Sequence, residues 1–299
     1  METVEIKSTE KNTSIELHYN LWDSEKNKIK CLDIGIMADT EDAPYEIHLK
    51  IPGKYKSETI EDLGKILIEK NNICNNIFNC TVVVTARENS LFATAEKEEN
   101  KDKFIIQPFT LQNNENNDNN ENNILIKLRI KKEENFLEYT KKYFRIRIKD
   151  FDDIPFILKS TSRSKLFESS FEKNKILDFR MNDIKLLSPE ISKQIKDSGL
   201  KIKKVHFLYI TDFEKNIIFS NPEMKIRAFE RESWKDYIKT KTNEMIAYHM
   251  TFKDGSQHTP IFLLKMQEKV SSILHIIVYA LGVIGLAVLA NRISSYFGF

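Results

Sequence analysis

Two short stretches alternate basic and apolar residues in a way that could gather charge. Ile126-Lys127-Leu128-Arg129-Ile130-Lys131 and Phe144-Arg145-Ile146-Arg147-Ile148-Lys149 each carry a cation at every second position. Strand side chains alternate with period two, so Lys127, Arg129 and Lys131 share one face, as do Arg145, Arg147 and Lys149. Paired side by side, the two strands would present six cations together. Such a face suits a phosphate-bearing small ligand, single-stranded nucleic acid or anionic lipid headgroups. The plainer reading is the watered face of an antiparallel sheet, with Glu133, Glu134 and Glu138 near enough in sequence to neutralise it. An extended nucleic-acid groove is not expected, because 46 Lys and Arg stand against 44 Asp and Glu, a net charge of +2.

The histidines point less clearly to chemistry. Glu46 and His48 share a strand face, which fits a proton-transfer pair and equally a decorated surface. His206, within Val205-His206-Phe207-Leu208-Tyr209-Ile210 and near Asp212, reads as a satisfied histidine of the core or its rim. His249 and His258 flank an Asp254-Gly255 turn and could meet across a hairpin, yet no third ligand stands at metal-binding spacing. No metal site is expected. Cys31, Cys74 and Cys80 form an odd set in a chain long enough to bury a core without disulfides, which fits reduced thiols. Cys74 and Cys80 are too far apart for a CxxC pair, and no histidine can be placed beside any cysteine to activate it.

The chain has no Walker-type phosphate loop, nucleophile elbow, HExxH motif or dinucleotide fingerprint. With eight glycines, loops able to cradle phosphate are scarce. Arg163 and Lys165 in a serine-rich loop could meet an anion, as could many surface loops. No catalytic residue and no cofactor can be assigned.

These groups depend on a frame of strands. Residues 14–21 and 45–51 alternate partly, and Cys80 to Thr85 carries Val82, Val83 and Val84, suited to an internal strand. A helix is expected over 57–70, with Ile60, Leu63, Leu67 and Ile68 as its buried stripe. Further strands are expected at 104–106, 124–130, 143–148, 154–158, 205–210 and 224–229, with 224–229 flanking 205–210. Pro155 would put 154–158 at an edge or a strand start. Ser188-Pro189 should open a short helix that Gly199 closes. A last helix is expected over 230–245, with Trp234, Tyr237 and Ile238 on one side.

Gln112 to Asn123, QNNENNDNNENN, has no apolar residue with which to offset the entropy of ordering. It divides the chain into an α+β unit over 1–111, an Asn-rich loop or linker over 112–123 and a second α+β unit over 124–266. Both units are expected to be mixed and sheet-rich.

Val270 to Ala290 contains no charge over twenty-one residues. As a helix it would span roughly the 30 Å hydrocarbon core of a bilayer. The expectation is a single C-terminal transmembrane helix with flanks over 267–292, a short aromatic tail over 293–299 and the lipid bilayer as partner. Lys265 and Lys269 before the span, against Arg292 after it, favour a body on the cytoplasmic side. Ser271, His275, Tyr279 and Gly282 fall on one helix face, which predicts association into a homo-oligomer. The functional expectation is therefore a membrane-anchored sensor or interaction protein, coupling an anionic ligand to helix-mediated oligomerisation. Its alternatives are a membrane-tethered hydrolase or nucleotide-processing enzyme, and a non-catalytic adaptor for another membrane protein.

Overall fold

Period-two alternation governs most of the chain. A computed structural model describes residues 2–41, 43–53, 59–87, 91–109, 123–149, 156–159, 172–229, 231–238, 244–253, 259–269 and 273–297. In chain order its elements begin with β1 (Glu5–Ser8), β2 (Ser14–Ser24), β3 (Ile29–Asp39), β4 (Tyr45–Pro52), β5 (Ile60–Asp62), α1 (Gly64–Glu69) and α2 (Asn71–Phe78). There follow β6 (Val82–Arg87), β7 (Phe92–Lys97), β8 (Lys103–Ile106), β9 (Asn123–Ile130), β10 (Lys141–Lys149), β11 (Ile157–Lys159) and β12 (Glu172–Arg180). The chain continues through α3 (Pro189–Ser198), β13 (Lys201–Asp212), β14 (Asn216–Asn221), β15 (Met224–Ala228), α4 (Arg231–Ile238), β16 (Met245–Lys253), β17 (Ile261–Lys269) and α5 (Ile273–Phe297).

The main sheet runs β15-β16-β13-β2-β3-β10-β8-β7-β6, with β5 added against β10. It is mixed, since β13 lies parallel to β2 and β10 parallel to β8. Two smaller sheets, β1-β4-β9 and β11-β12-β17-β14, complete the strand set. Leu17, Ile34, Ile146 and Phe207 of the main sheet share one core with Leu49, Leu128, Phe179 and Phe262 of the smaller sheets. Burying each such side chain contributes about 1.5–3 kcal/mol. Alternation sends the intervening residues to the opposite face, where Trp22, Met37, Tyr143 and Ile210 pack with Leu67, Ile73, Trp234 and Tyr237 of α1, α2 and α4. The main sheet is thus a middle layer with sheets on one side and helices on the other. The fold is α+β with mixed sheets.

Strands from both sides of the 112–123 tract are interleaved. The main sheet takes β2, β3 and β5 to β8 from before it, and β10, β13, β15 and β16 from after it. β4 pairs along its whole length with β9. Of the tract, Asn123 opens β9 and residues 112–122 lie outside the described residues.

Local expectations fared unevenly. α3 starts where Ser188 accepts a hydrogen bond from the Ile191 amide at 3.3 Å, and it ends at Gly199 in the left-handed conformation. β13 is internal, between β16 and β2, whereas β15 pairs with β16 and lies one strand further out. The 57–70 helix starts late: Ile60–Asp62 is strand β5, drawn onto β10, and α1 begins only at Gly64. Asp62 Oδ1 accepts from the Gly64 amide at 3.0 Å and from the Phe109 amide at 2.9 Å, which fixes that change of direction. Among the described residues β6 is an edge strand, and Val83 on it is half exposed. α4 covers the first half of the 230–245 helix, and Met245 opens β16 instead.

The transmembrane helix needs correction. Among the described residues, no helix is long and apolar enough to cross a membrane. α5 runs Ile273–Phe297 and carries Asn291, Arg292, Ser294 and Ser295 in its C-terminal part. The bilayer partner, the single-pass location, and the membrane-anchored sensor, tethered enzyme and membrane adaptor fall with that span. Along α5, Leu281, Ile284, Leu286 and Leu289 are exposed.

Candidate anion-binding groove

The two basic strands are not neighbours. β9 pairs with β4, in the three-stranded sheet, and β10 lies between β3 and β8 in the main sheet. On β9, Arg129 sits opposite Glu46 and Lys127 opposite His48. Glu46 Oε1 takes a 3.2 Å ion pair from Arg129, and Glu46 Oε2 lies 3.1 Å from His48 Nε2. These contacts, His48 foremost, hold the Glu46 carboxyl below its usual range. Lys131 is exposed just beyond the strand.

The β10 cations face the helical layer and are spent internally. Arg147 grips Asp33 with Nε at 2.6 Å and Nη2 at 2.9 Å, and its Nη1 donates to the Tyr237 carbonyl at 3.0 Å. Arg145, wholly buried, donates from Nε to the Tyr237 hydroxyl at 2.9 Å and from Nη1 to the Tyr143 hydroxyl at 3.0 Å. Trp22 Nε1 donates to Asp33 at 2.8 Å. Burial pushes the Asp33 carboxyl up, but Arg147 more than offsets this and the group is held below its ordinary value. Gly35, opposite Arg145 on β3, is required here: a Cβ would come within 2.2 Å of the Tyr143 hydroxyl. Lys149 pairs with Glu61 at 2.8 Å. The six cations therefore do not form one face.

Charge gathers elsewhere. At one end of the helical side of the main sheet is an open groove of about 600 Å³, lined by Lys97, Lys101, Lys103, Lys141 and Lys204 against the carboxylates of Glu16, Asp102 and Glu138. Lys97 belongs to β7 and Lys204 to β13, with four strands between them in the sheet order. Only a strongly curled sheet brings both to one groove, and strand twist supplies the curl. Lys97 and Lys141 share one partner, Asp102, at 3.3 and 2.9 Å. Lys103 pairs with Glu138. Lys204 has no ion pair among the described residues. Its ammonium is pushed below its ordinary value by burial, with Lys253 and Lys97 adding to that and Glu16 opposing it.

Beside the groove stand three imidazoles. His206 lies two residues from Lys204 on the same face of β13, and its Nδ1 is 2.9 Å from His249 Nε2 on β16. Their rings lie side by side, centroids 5.2 Å apart and planes 18° from parallel, and His18 of β2 meets His206 edge-on at 5.1 Å. His18 Nδ1 is 3.4 Å from the Tyr143 hydroxyl. Burial, then Lys204, His249 and Lys97, lowers His206 to about 3. Burial, then Arg227, Lys204 and Lys225, lowers His249 to about 4. His18 is held well below its ordinary value by burial first and then by His206, Arg145, Lys97 and Lys204. All three are neutral near pH 7, in a field set by lysines that line the groove.

Other candidates contribute little here. Burial raises all three thiols, Cys74 to about 12, so none is poised as a thiolate. Among the described residues, no three His, Cys, Asp or Glu are grouped to hold a metal ion. Arg163, Lys165, Asp254, Gly255, His258 and Ser271 lie outside the described residues. Tyr279 is exposed on α5, and the space a Cβ at Gly282 would enter is open for 4 Å. The alternation Lys204-Val205-His206 was visible in the sequence. Its convergence with Lys97, Asp102 and Lys141 was not, because those residues come from three other segments. No protein-family model matches the chain, and no curated protein is similar to it in sequence.

Proposed function

We propose that the protein is a binding module for a small phosphate-bearing anion, held in the lysine groove between β7, β8, β10 and β13. The observation that carries this reading is the excess of lysines there: Lys97 and Lys141 share Asp102, Lys103 has Glu138 and Lys101 has Glu96 at 3.8 Å, while Lys204 has no ion pair among the described residues and is partly desolvated. A polyanion would supply the missing counter-charge, and charge-assisted hydrogen bonds to phosphate oxygens are the strong kind. The groove presents an excess of lysines, with neutral imidazoles beside it, which suits holding an anion. Nothing in it is arranged as an activated nucleophile.

Inorganic pyrophosphate is the probe. Titration calorimetry at low salt should register binding that weakens steeply as salt is added, because exposed charges are screened over about 10 Å at 0.1 M. Lys97→Glu and Lys204→Glu should each weaken it tenfold or more. Arg129→Glu, on the far sheet, should leave it unchanged. Equal affinity in all four proteins would remove the groove as the site.

A further inference from the structure

Anion occupancy of a lysine groove has a consequence for the imidazoles beside it. Lys204 lines the groove and stands two residues from His206, whose Nδ1 shares a hydrogen bond with His249 Nε2. Such a bond needs one donor and one acceptor. A third ring proton on the pair would turn it into a charge-assisted N–H···N bond without moving either ring. The arrangement therefore has room for one extra positive charge, and its surroundings decide whether the charge is admitted.

Those surroundings are cationic on most of the elements packed around the pair. On β13 there is Lys204; on β16, Lys253 lies four residues beyond His249 and Thr251 Oγ1 is 3.4 Å from its Nε2. On β15, Lys225 sits opposite His249, with Arg227 beyond, held by Asn79 at the end of α2. β7 supplies Lys97, itself paired with Asp102 at 3.3 Å, and β2 supplies neutral His18 together with Glu16, whose carboxylate opposes the shift of Lys204. Past His18, Arg145 of β10 adds a buried positive charge. With the groove empty, this field opposes protonation of the pair.

We infer that the groove and the His206–His249 pair form one proton-coupled site, in which a bound anion admits a proton to the pair and a proton on the pair tightens the anion. The inference rests on the groove reading. A dianion beside Lys204 and Lys97 cancels much of the field that keeps the imidazoles neutral. Linkage is reciprocal, so whatever the anion does to proton affinity, the proton does to anion affinity. Acid loads the groove and neutral pH releases it.

Sulfate tests this cleanly, because its charge is fixed above pH ~3 while phosphates titrate in the working range. The histidine ring signals of the full chain should be followed by NMR from about pH 7 downward, with and without saturating sulfate. The His206 and His249 midpoints should rise by about one unit in sulfate, a tenfold gain in proton affinity. In Lys204→Glu the two titrations should coincide. Should acid unfold the chain before the midpoints are reached, sulfate affinity is compared at about pH 4.5 and pH 7. Several-fold tightening is expected in the wild type and none in H206N/H249Q, whose amides preserve the shared hydrogen bond. Sulfate that shifts the lysine signals but leaves both histidine midpoints and the pH 4.5 affinity unmoved overturns the coupling and spares the groove. Sulfate that shifts no signal at all overturns both.

Discussion

At the scale of single residues, the imidazoles make a statement about stability. In an unfolded chain a histidine takes its proton near pH 6.5. Folded His206 waits until about 3 and folded His249 until about 4, chiefly because burial disfavours the charged ring. Between those limits the unfolded chain binds more protons, so stability is full above about pH 6.5 and declines as pH falls toward 3. Urea unfolding at stepped pH should show this decline in the wild type, and H206N/H249Q should lose less stability over the same interval. A variant curve parallel to the wild type would place the acid sensitivity in the carboxylates instead. The sequence offered His206 as a core or rim histidine, and its partner was hidden because 43 residues separate the two. Nor could the alternation in 144–149 reveal that Arg145 and Arg147 face inward. Their partners, Asp33 and Tyr237, lie about a hundred residues away on either side.

Among elements, α4 shows how a short helix is held. Its apolar side, Trp234 and Tyr237, was readable from spacing alone, and both residues are buried against Trp22. What spacing could not give is the polar clamp: Tyr237 accepts from Arg145 through its hydroxyl and from Arg147 through its carbonyl. Arg147 also lies over the Tyr237 ring, 4.6 Å from its centroid. Tyr237→Phe keeps the ring and the carbonyl but strips one acceptor from a buried guanidinium. A hydrogen bond to a charged group contributes about 1.5–3 kcal/mol, so denaturant unfolding should show a loss of that size. A loss under ~0.5 kcal/mol would mean that Arg145 finds another acceptor. α3 was legible because its caps are local: Ser188, Pro189 and Gly199 act within their own turns. β5 was misread for the opposite reason: its partner β10 is a distant segment, and strand preference is mostly fit to neighbours. β6 pairs with β7, next in sequence, but its place at the end of the strand order is set by the whole sheet.

For the whole molecule, the interleaving of strands sets how it unfolds. A polar tract at 112–123 suggested two units, because composition does not distinguish a linker between domains from a loop within one. β3 against β10, β2 against β13 and β4 against β9 all cross that tract. Each half alone would leave unpaired strand edges and half of a shared core, so a cooperative all-or-none transition is expected. Calorimetry should record one transition whose calorimetric and van't Hoff enthalpies agree, where two independent units would give two. Fragments ending at 111 and beginning at 124 should each fail to fold alone and should recover the native spectrum when refolded together. The groove sharpens the test, because Lys97 lies in the first fragment and Lys141 and Lys204 in the second. Pyrophosphate binding should therefore be absent from either fragment and return only with the mixture. A first fragment that folds and binds alone would show that the lysines after the tract are dispensable, and with them the curled sheet as the device that builds the site.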